Sequence, residues 1–453
     1  MNFDLLLKGG DVFTGAGKMT ADVGIKDGLV VAIGRYLASD RVCPVYDVRH
    51  KWVLPGFIET MGAAVSDLED GATRFLQHSE RAATGGVTTL AEVVVPKPWE
   101  SVEQAIDRRA RGLSQSWIDR AFVLRIMAGH VPAADALAAA KTRGLAAVLA
   151  QLSPRVDGFG LDDAELYALA IAARDAGVGL AVSLEHPSFA EHMHQKTPRI
   201  FKAARADLFG RQSVEGERVA AERACAIALV SGAKMALLGP TTATTLKAIE
   251  AARDRGARVQ AMPCCHSLLL STKVYSKRRG RWYRPIPPLR SDRERIALRR
   301  MFARSSSALI ALGAGAQPFP AIAAWTLEKQ PKPQALAGLP WAPAVLVALA
   351  AAKIISPRRL VSALAAGPAA FLGLGGERGV INIGSVADIA VWDPAKKKKL
   401  GPRNPKTSDD FNPFIGSSAL DPPMLVFNRG RLVAENGARA GDRPEGVVAV
   451  RMT

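Results

Sequence analysis

Trp52-Val53-Leu54-Pro55-Gly56-Phe57-Ile58 marks the point at which the pattern of this chain changes. Before it lie short antiparallel signals. Phe3 to Lys8 is an apolar run that stops at Gly9-Gly10, and Asp22 to Lys26 alternates. Asp27-Gly28 is a hairpin turn signal, and Leu29 to Gly34 returns from it. After it, apolar strand candidates alternate with helical stretches. Counting Trp52 to Ile58 as the first, the others are Val87 to Val95, Ala121 to Met127, Leu145 to Ala150, Gly179 to Leu184, Lys234 to Leu238, Arg258 to Met262 and Ala308 to Leu312. Asp162 to Ala176 and Thr241 to Arg255 read as helices between them. Eight such units predict a (β/α)8 TIM barrel. The far end returns to the opening style, with a strand over Ala387 to Asp393 and a hairpin over Met424 to Val433 turning at Asn428-Arg429-Gly430. The predicted fold is therefore α/β: a barrel over 54–374 and a small β-sandwich assembled from 1–53 and 375–453.

Composition bounds the function. The chain has 453 residues, 48% hydrophobic and 23% charged, a globular balance. The most apolar run, Ala342 to Ile355, is too short to span a bilayer, and Met1-Asn2-Phe3-Asp4 lacks the basic start of a leader. A cytoplasmic protein with no membrane partner is expected. Four cysteines (Cys43, Cys225, Cys264, Cys265) are too few for a disulfide framework in a chain this long. The 60 basic and 42 acidic residues leave a net charge of +18, concentrated in Lys273 to Arg284 and in Lys396 to Lys399. Such a field attracts anions, and Lys273 to Arg284 is a candidate contact for an anionic partner. The plainer reading is a solvated surface, because no nucleic-acid-binding motif accompanies the charge.

Leu54-Pro55-Gly56-Phe57-Ile58-Glu59 resembles the start of the first barrel strand in the cyclic amidohydrolase family of dihydroorotases, hydantoinases and allantoinases. Gly85-Gly86-Val87-Thr88-Thr89 is similar to the family's second-strand motif, and Gly158 to Asp163 to its loop after the fourth strand. Pro287-Pro288-Leu289-Arg290-Ser291 is similar to its proline-rich loop, and Gly379 to Asp388 to its return into the sandwich. Five matches in order span nearly the whole chain. The resemblance implies one or two divalent metals at the barrel mouth, activating a water that attacks a cyclic amide carbonyl. Imidazoles, a carboxylate and, in binuclear members, a carbamylated lysine hold them.

The chain departs from that pattern at the ligands. On this resemblance Met61 and Ala63 stand for the two first-strand histidines, Leu149 for the bridging lysine, Ser183 and Gly239 for the fifth- and sixth-strand histidines, and Gly315 for the eighth-strand aspartate. A thioether is a poor donor for a hard, oxygen-rich site, and a methyl group or hydrogen is none. Two substrate-side positions differ as well: Val65 stands for an arginine and Ile286 for an asparagine. No bound zinc is expected. The resemblance then implies a degenerate, non-catalytic relative acting as a structural or regulatory subunit. It would be a homo-oligomer, or a hetero-oligomer with an active amidohydrolase or an aspartate transcarbamoylase. Degenerate relatives of the family also serve as cytoskeletal adaptors.

The rival expectation is a hydrolase of cyclic amides or related C–N bonds working through a relocated or metal-free site. Its candidates are Glu59, Glu185, His186, His192, His194 and His266, with His192-Met193-His194 at a ligand-like spacing. Cys264-Cys265-His266 at the end of the seventh strand is a thiol–imidazole candidate. Adjacent strand residues face opposite ways, so small residues filling the mouth is the simpler account.

Overall fold

The computed structural model describes residues 2–40, 42–62, 71–113, 115–152, 158–186, 189, 192, 213–277, 280, 283, 285, 287–313, 336, 338–401 and 412–450. The chain opens with β1 (Leu5–Thr14), β2 (Gly17–Lys26), β3 (Leu29–Gly34), β4 (Val45–Asp47) and β5 (Trp52–Pro55). The barrel strands are β6 (Phe57–Gly62), β7 (Val87–Val94), β8 (Asp119–Arg125), β9 (Leu145–Gln151), β10 (Gly179–Ser183), β11 (Met235–Leu238) and β12 (Val259–Met262). The chain closes with β13 (Ile389–Trp392), β14 (Lys397–Lys399), β15 (Ser418–Leu420), β16 (Leu425–Asn428), β17 (Arg431–Glu435) and β18 (Ala438–Arg439). The helices used below are α1 (Gly71–Thr84), α2 (Val102–Gly112), α3 (Ala134–Lys141), α4 (Asp163–Ala176), α5 (Val214–Ser231), α6 (Ala243–Asp254), α7 (Cys265–Leu269), α8 (Asp292–Arg304) and α9 (Trp341–Ala351).

β6 to β12 form one parallel sheet in sequence order. Residues 308–312 add the eighth staves' worth of backbone: the amides of Leu309 and Ala311 donate to the carbonyls of Ala261 and Pro263 at 2.8 and 3.1 Å. Alternate residues of every strand point inward. Ile58, Ala91, Ala121, Val123, Ala147, Leu149, Ala181, Ala236, Leu309 and Ala311 meet there in one apolar cluster, which makes the barrel a filled core and not a pore. The expected helices form with their own stops. Asp162 accepts from the amide of Glu165 at 2.9 Å while the Glu165 side chain accepts from the Asp162 amide, and Gly177 ends α4 in the left-handed region.

The terminal strands make one continuous sheet in the order β18-β17-β16-β13-β5-β1-β2-β3, with β4 beside β1. β1 bends at a register shift between Leu7 and Gly10. Its first half pairs with β4 and its second with β5, so the sheet folds over a single apolar core containing Leu7, Val23, Ile25, Val53, Ile389 and Phe427. The two hairpin turns touch. Asp27-Gly28 and Arg429-Gly430 all have positive φ, the turn whose twist matches the strands, and a Cβ on Gly28 would lie 3.2 Å from the Arg429 carbonyl.

The structure corrects the expected boundaries in two places. The run Trp52 to Ile58 is two strands, not one: β5 pairs with β1 and β13 in the sandwich sheet, so that sheet extends past residue 53. Gly56 makes the break, because a Cβ there would lie 2.2 Å from Oγ1 of Thr88. At the other end, residues 446–449 leave the sandwich and run along the start of β8, where the Arg120 amide donates to Val447 and the Ala449 amide to Arg120.

Candidate functional site

In a parallel barrel the chemistry gathers at the carboxyl ends of the strands. β6 ends irregularly: its register against β7 shifts between Glu59 and Gly62. The cause is local. Oε1 of Glu59 accepts from the Met61 amide at 2.8 Å, which turns the strand back on its own side chain. Glu59 is fully buried between the first and eighth strands, where the amides of Thr60, Leu312 and Gly313 also favour its charged form. Burial outweighs them and lifts its pKa from 4.5 to about 7.

A carboxyl raised in the fold weakens the fold as it ionises. The unfolded chain ionises Glu59 near its ordinary 4.5, so its contribution is intact below that pH and lost on rising through about 7. That loss amounts to roughly 3 kcal/mol. The Glu59→Gln variant keeps an oxygen for the Met61 amide and carries no charge. Its stability relative to the parent should therefore rise between pH 5 and pH 8 by up to roughly 3 kcal/mol, read by urea denaturation. A difference that does not move with pH would refute this account of Glu59.

The neighbouring thiols are inert. Burial, and then the Glu59 carboxylate, pushes Cys264 up to about 12; burial, with Cys264 and Glu59 beside it, holds Cys265 well above the usual thiol range. The Cys265 thiol donates to the Leu312 carbonyl at 2.8 Å, and its amide donates to Ala311. These residues cap the end of the barrel, as small buried groups do. His266 sits one step on, in the first turn of α7, fully buried and lowered to about 4 by burial, with the Pro287 carbonyl opposing.

Met61 and Leu149 join the apolar filling of the barrel together with Met262 and Cys264, and the Thr60 hydroxyl donates to the Met262 sulfur at 3.2 Å. Ser183 is half-buried at the end of β10, in register with Gln151 and Leu238. Gly239 has φ +91°, and a Cβ there would lie 3.2 Å from the Pro287 ring. A histidine at this position would be strained by the backbone conformation and crowded by the Pro287 ring. Ala63 and Gly315 lie outside the described residues.

The donors of a divalent centre are therefore one thioether, one aliphatic side chain, one hydroxyl and a glycine at the four described positions. They do not fit the metal that the family resemblance implies. Nor do the alternative candidates assemble. Glu59 and His266 are buried; Glu185 and His186 are half-buried at the exit of β10, where the Phe189 amide donates to Nδ1 of His186 at 3.4 Å. His192 is exposed, and His194 lies outside the described residues. Among the described residues, no three of His, Cys, Asp or Glu are arranged to hold a metal ion.

Polar groups near the mouth that sequence reading passed over are arranged around other elements. Glu217 of α5 accepts from the Thr241 amide at 2.8 Å and from its hydroxyl, and Arg290 donates to the same hydroxyl at 2.7 Å and to Glu217 at 3.3 Å. On the third strand, Arg125 donates to Gln151 at 2.5 Å and lies 3.5 Å over the Phe159 ring. Arg290 stood inside a recognised motif with no role attached; its partners are 49 and 73 residues away, which no local pattern reports. The basic stretch Lys273 to Arg284 is not a uniform charged face. Val274, Tyr275 and Tyr283 are buried, Tyr283 donates to the Pro413 carbonyl at 3.0 Å, and Lys273 pairs with Asp292 at 2.9 Å. Residues 278, 279, 281, 282 and 284 of it lie outside the described set.

Fold and strand-end architecture define the class: a (β/α)8 barrel carrying a sandwich built from both ends of the chain. No protein-family model matches the chain. It is 27% identical over 444 residues to the allantoinase of Rubrobacter xylanophilus, covering 96% of this chain and 95% of that one. It is 25% identical over 466 residues to the D-hydantoinase of Ralstonia pickettii, covering 98% of each. The D-hydantoinase (dihydropyrimidinase) structure from Thermus sp. superposes with a TM-score of 0.87 over 99% of both chains at 23% identity. Over nearly its whole length the chain is thus similar to members of the cyclic amidohydrolase superfamily that carry hydrolase names. Among the described residues no helix is long and apolar enough to cross a membrane.

Proposed function

We propose that this chain is a non-catalytic member of the superfamily that serves as a structural or regulatory subunit, in a homo-oligomer or docked on an active hydrolase, and that it carries no zinc. The observation behind this reading is the apolar packing of Met61 and Leu149 in the barrel core together with the backbone of Gly239. A site that once had to stay wet and charged is instead filled, and filling it contributes hydrophobic stabilisation that a metal centre would forfeit.

The purified chain, assayed on hydantoin, dihydrouracil, allantoin and dihydroorotate with and without added zinc or manganese, should give no turnover above a heat-denatured control. Mixed with an active amidohydrolase from the same cell, it should form a complex of fixed stoichiometry by native mass spectrometry, or else self-associate. Enzyme-like turnover of a cyclic amide would overturn the reading in favour of a relocated site, and a strictly monomeric chain that binds no such enzyme would remove the subunit role.

A further inference from the structure

A second feature lies away from the barrel mouth and shares no residue with it. Lys396 to Lys399 forms the first arm of the small β14–β15 hairpin, which lies against α9. Between hairpin and helix is a cavity of about 230 Å³. Its walls are largely apolar, with Pro340, Trp341, Ala344, Leu400 and Leu420 among them, and its lining includes Lys398 and Lys399 but no acidic residue.

The hairpin register decides which lysine faces inward. Lys397 pairs with Leu420, Lys398 with Ala419 and Lys399 with Ser418. Strand side chains alternate, so Lys399 shares the face of Leu420, which lines the cavity. Lys398 also borders the cavity, but its ammonium is engaged with Asp421 at 3.0 Å. Lys399 has no ion pair among the described residues.

We propose that this cavity binds a small carboxylate with a flat apolar body. The apolar walls and the Trp341 ring would take the body, and Lys399 would take the carboxylate through a charge-assisted hydrogen bond. A cation is disfavoured by the lysine run around the opening. A neutral ligand would leave the Lys399 charge unused.

Indole-3-acetate and its neutral amide, indole-3-acetamide, serve as probes in isothermal titration calorimetry with the full chain. The acid should bind at one site per chain, about tenfold or more tighter than the amide. Lys399→Glu should weaken the acid by at least about tenfold, and Lys399→Arg should hold it within about threefold. Lys247→Ala, which removes an exposed charge on α6 outside the cavity lining, should leave it unchanged, with circular dichroism confirming the fold of each variant. Any of three results overturns the proposal: no binding of the acid at millimolar concentration, equal affinity for acid and amide, or equal loss in Lys247→Ala and Lys399→Glu. Because the assay does not involve the barrel mouth, its failure would leave the non-catalytic reading standing.

Discussion

Zinc supplied to cells making this protein should not stay on it: after desalting, elemental analysis should find far less than one zinc per chain. A protein zinc site of nanomolar quality draws on something like 10–16 kcal/mol of apparent binding energy, and that energy comes from three or four charged or imidazole donors converging on one point. Here the described positions offer Met61, Leu149, Ser183 and Gly239 instead. Dehydrating a divalent ion into a pocket of methyl, methylene and thioether groups has nothing to offset it. Restoring two ligands should not rescue binding. A Met61→His, Ser183→His double variant should still desalt essentially metal-free, because Gly239 at φ +91° cannot supply the third imidazole without strain. A side chain there costs on the order of 1–3 kcal/mol before the Pro287 contact is counted. One or more equivalents of zinc held through desalting by the parent chain would sink the proposed function outright.

Replacing Arg378 with methionine should be strongly damaging, costing about 3–5 kcal/mol in urea denaturation. Arg378 is buried at the amino end of the barrel, and its guanidinium spans two carboxylates: Asp119 of β8 at 2.5 Å and Asp388, which precedes β13, at 2.6 Å. Burial raises Asp388 above its ordinary pKa, the Arg378 charge pulls it back, and Asp119 pushes it up again. Asp388 also accepts from Asn428 and from the Arg429 amide at 2.9 Å each, and Asp119 accepts from the Val447 amide at 2.9 Å. The arginine thus joins barrel, sandwich and the C-terminal return in one network. Without it, two buried carboxyls are left with only the partly exposed Arg429, 4.0 Å from Asp119, as a neighbouring cation. Adding Asp119→Asn and Asp388→Asn to Arg378→Met should recover part of the loss, since the penalty lies in the stranded charges and not in the missing contact. A loss below about 1 kcal/mol, or no recovery in the triple variant, would show that the network is incidental.

These two sites sit at opposite ends of the barrel, which is why one bears on function and the other on stability. Both involve residues whose importance differs sharply in how far it could be read from the chain. The side chains at the positions where the resemblance expects ligands were legible at once, because a side chain that lacks a lone pair lacks it in any conformation. The alternation of strands and helices was legible too, since it rests on periodicities of 2 and 3.6 residues within short windows. So were the paired turns at Asp27-Gly28 and Arg429-Gly430, which need positive φ whatever surrounds them.

What the chain order hides is everything that depends on partners brought from afar. Trp52 to Ile58 read as one strand because its apolarity is continuous; only the approach of Thr88 to Gly56 divides it between two sheets. Glu59 looked like a candidate ligand until its burial against Leu312 and Gly313 made it a seam between the first and eighth strands. Arg378 meets Asp119 across 259 residues, and Arg290 meets Glu217 across 73. Composition and local period set which groups exist and which elements they form. Burial, register and long-range pairing, which are properties of the closed barrel and not of any segment, set which of those groups are charged, satisfied or shut away.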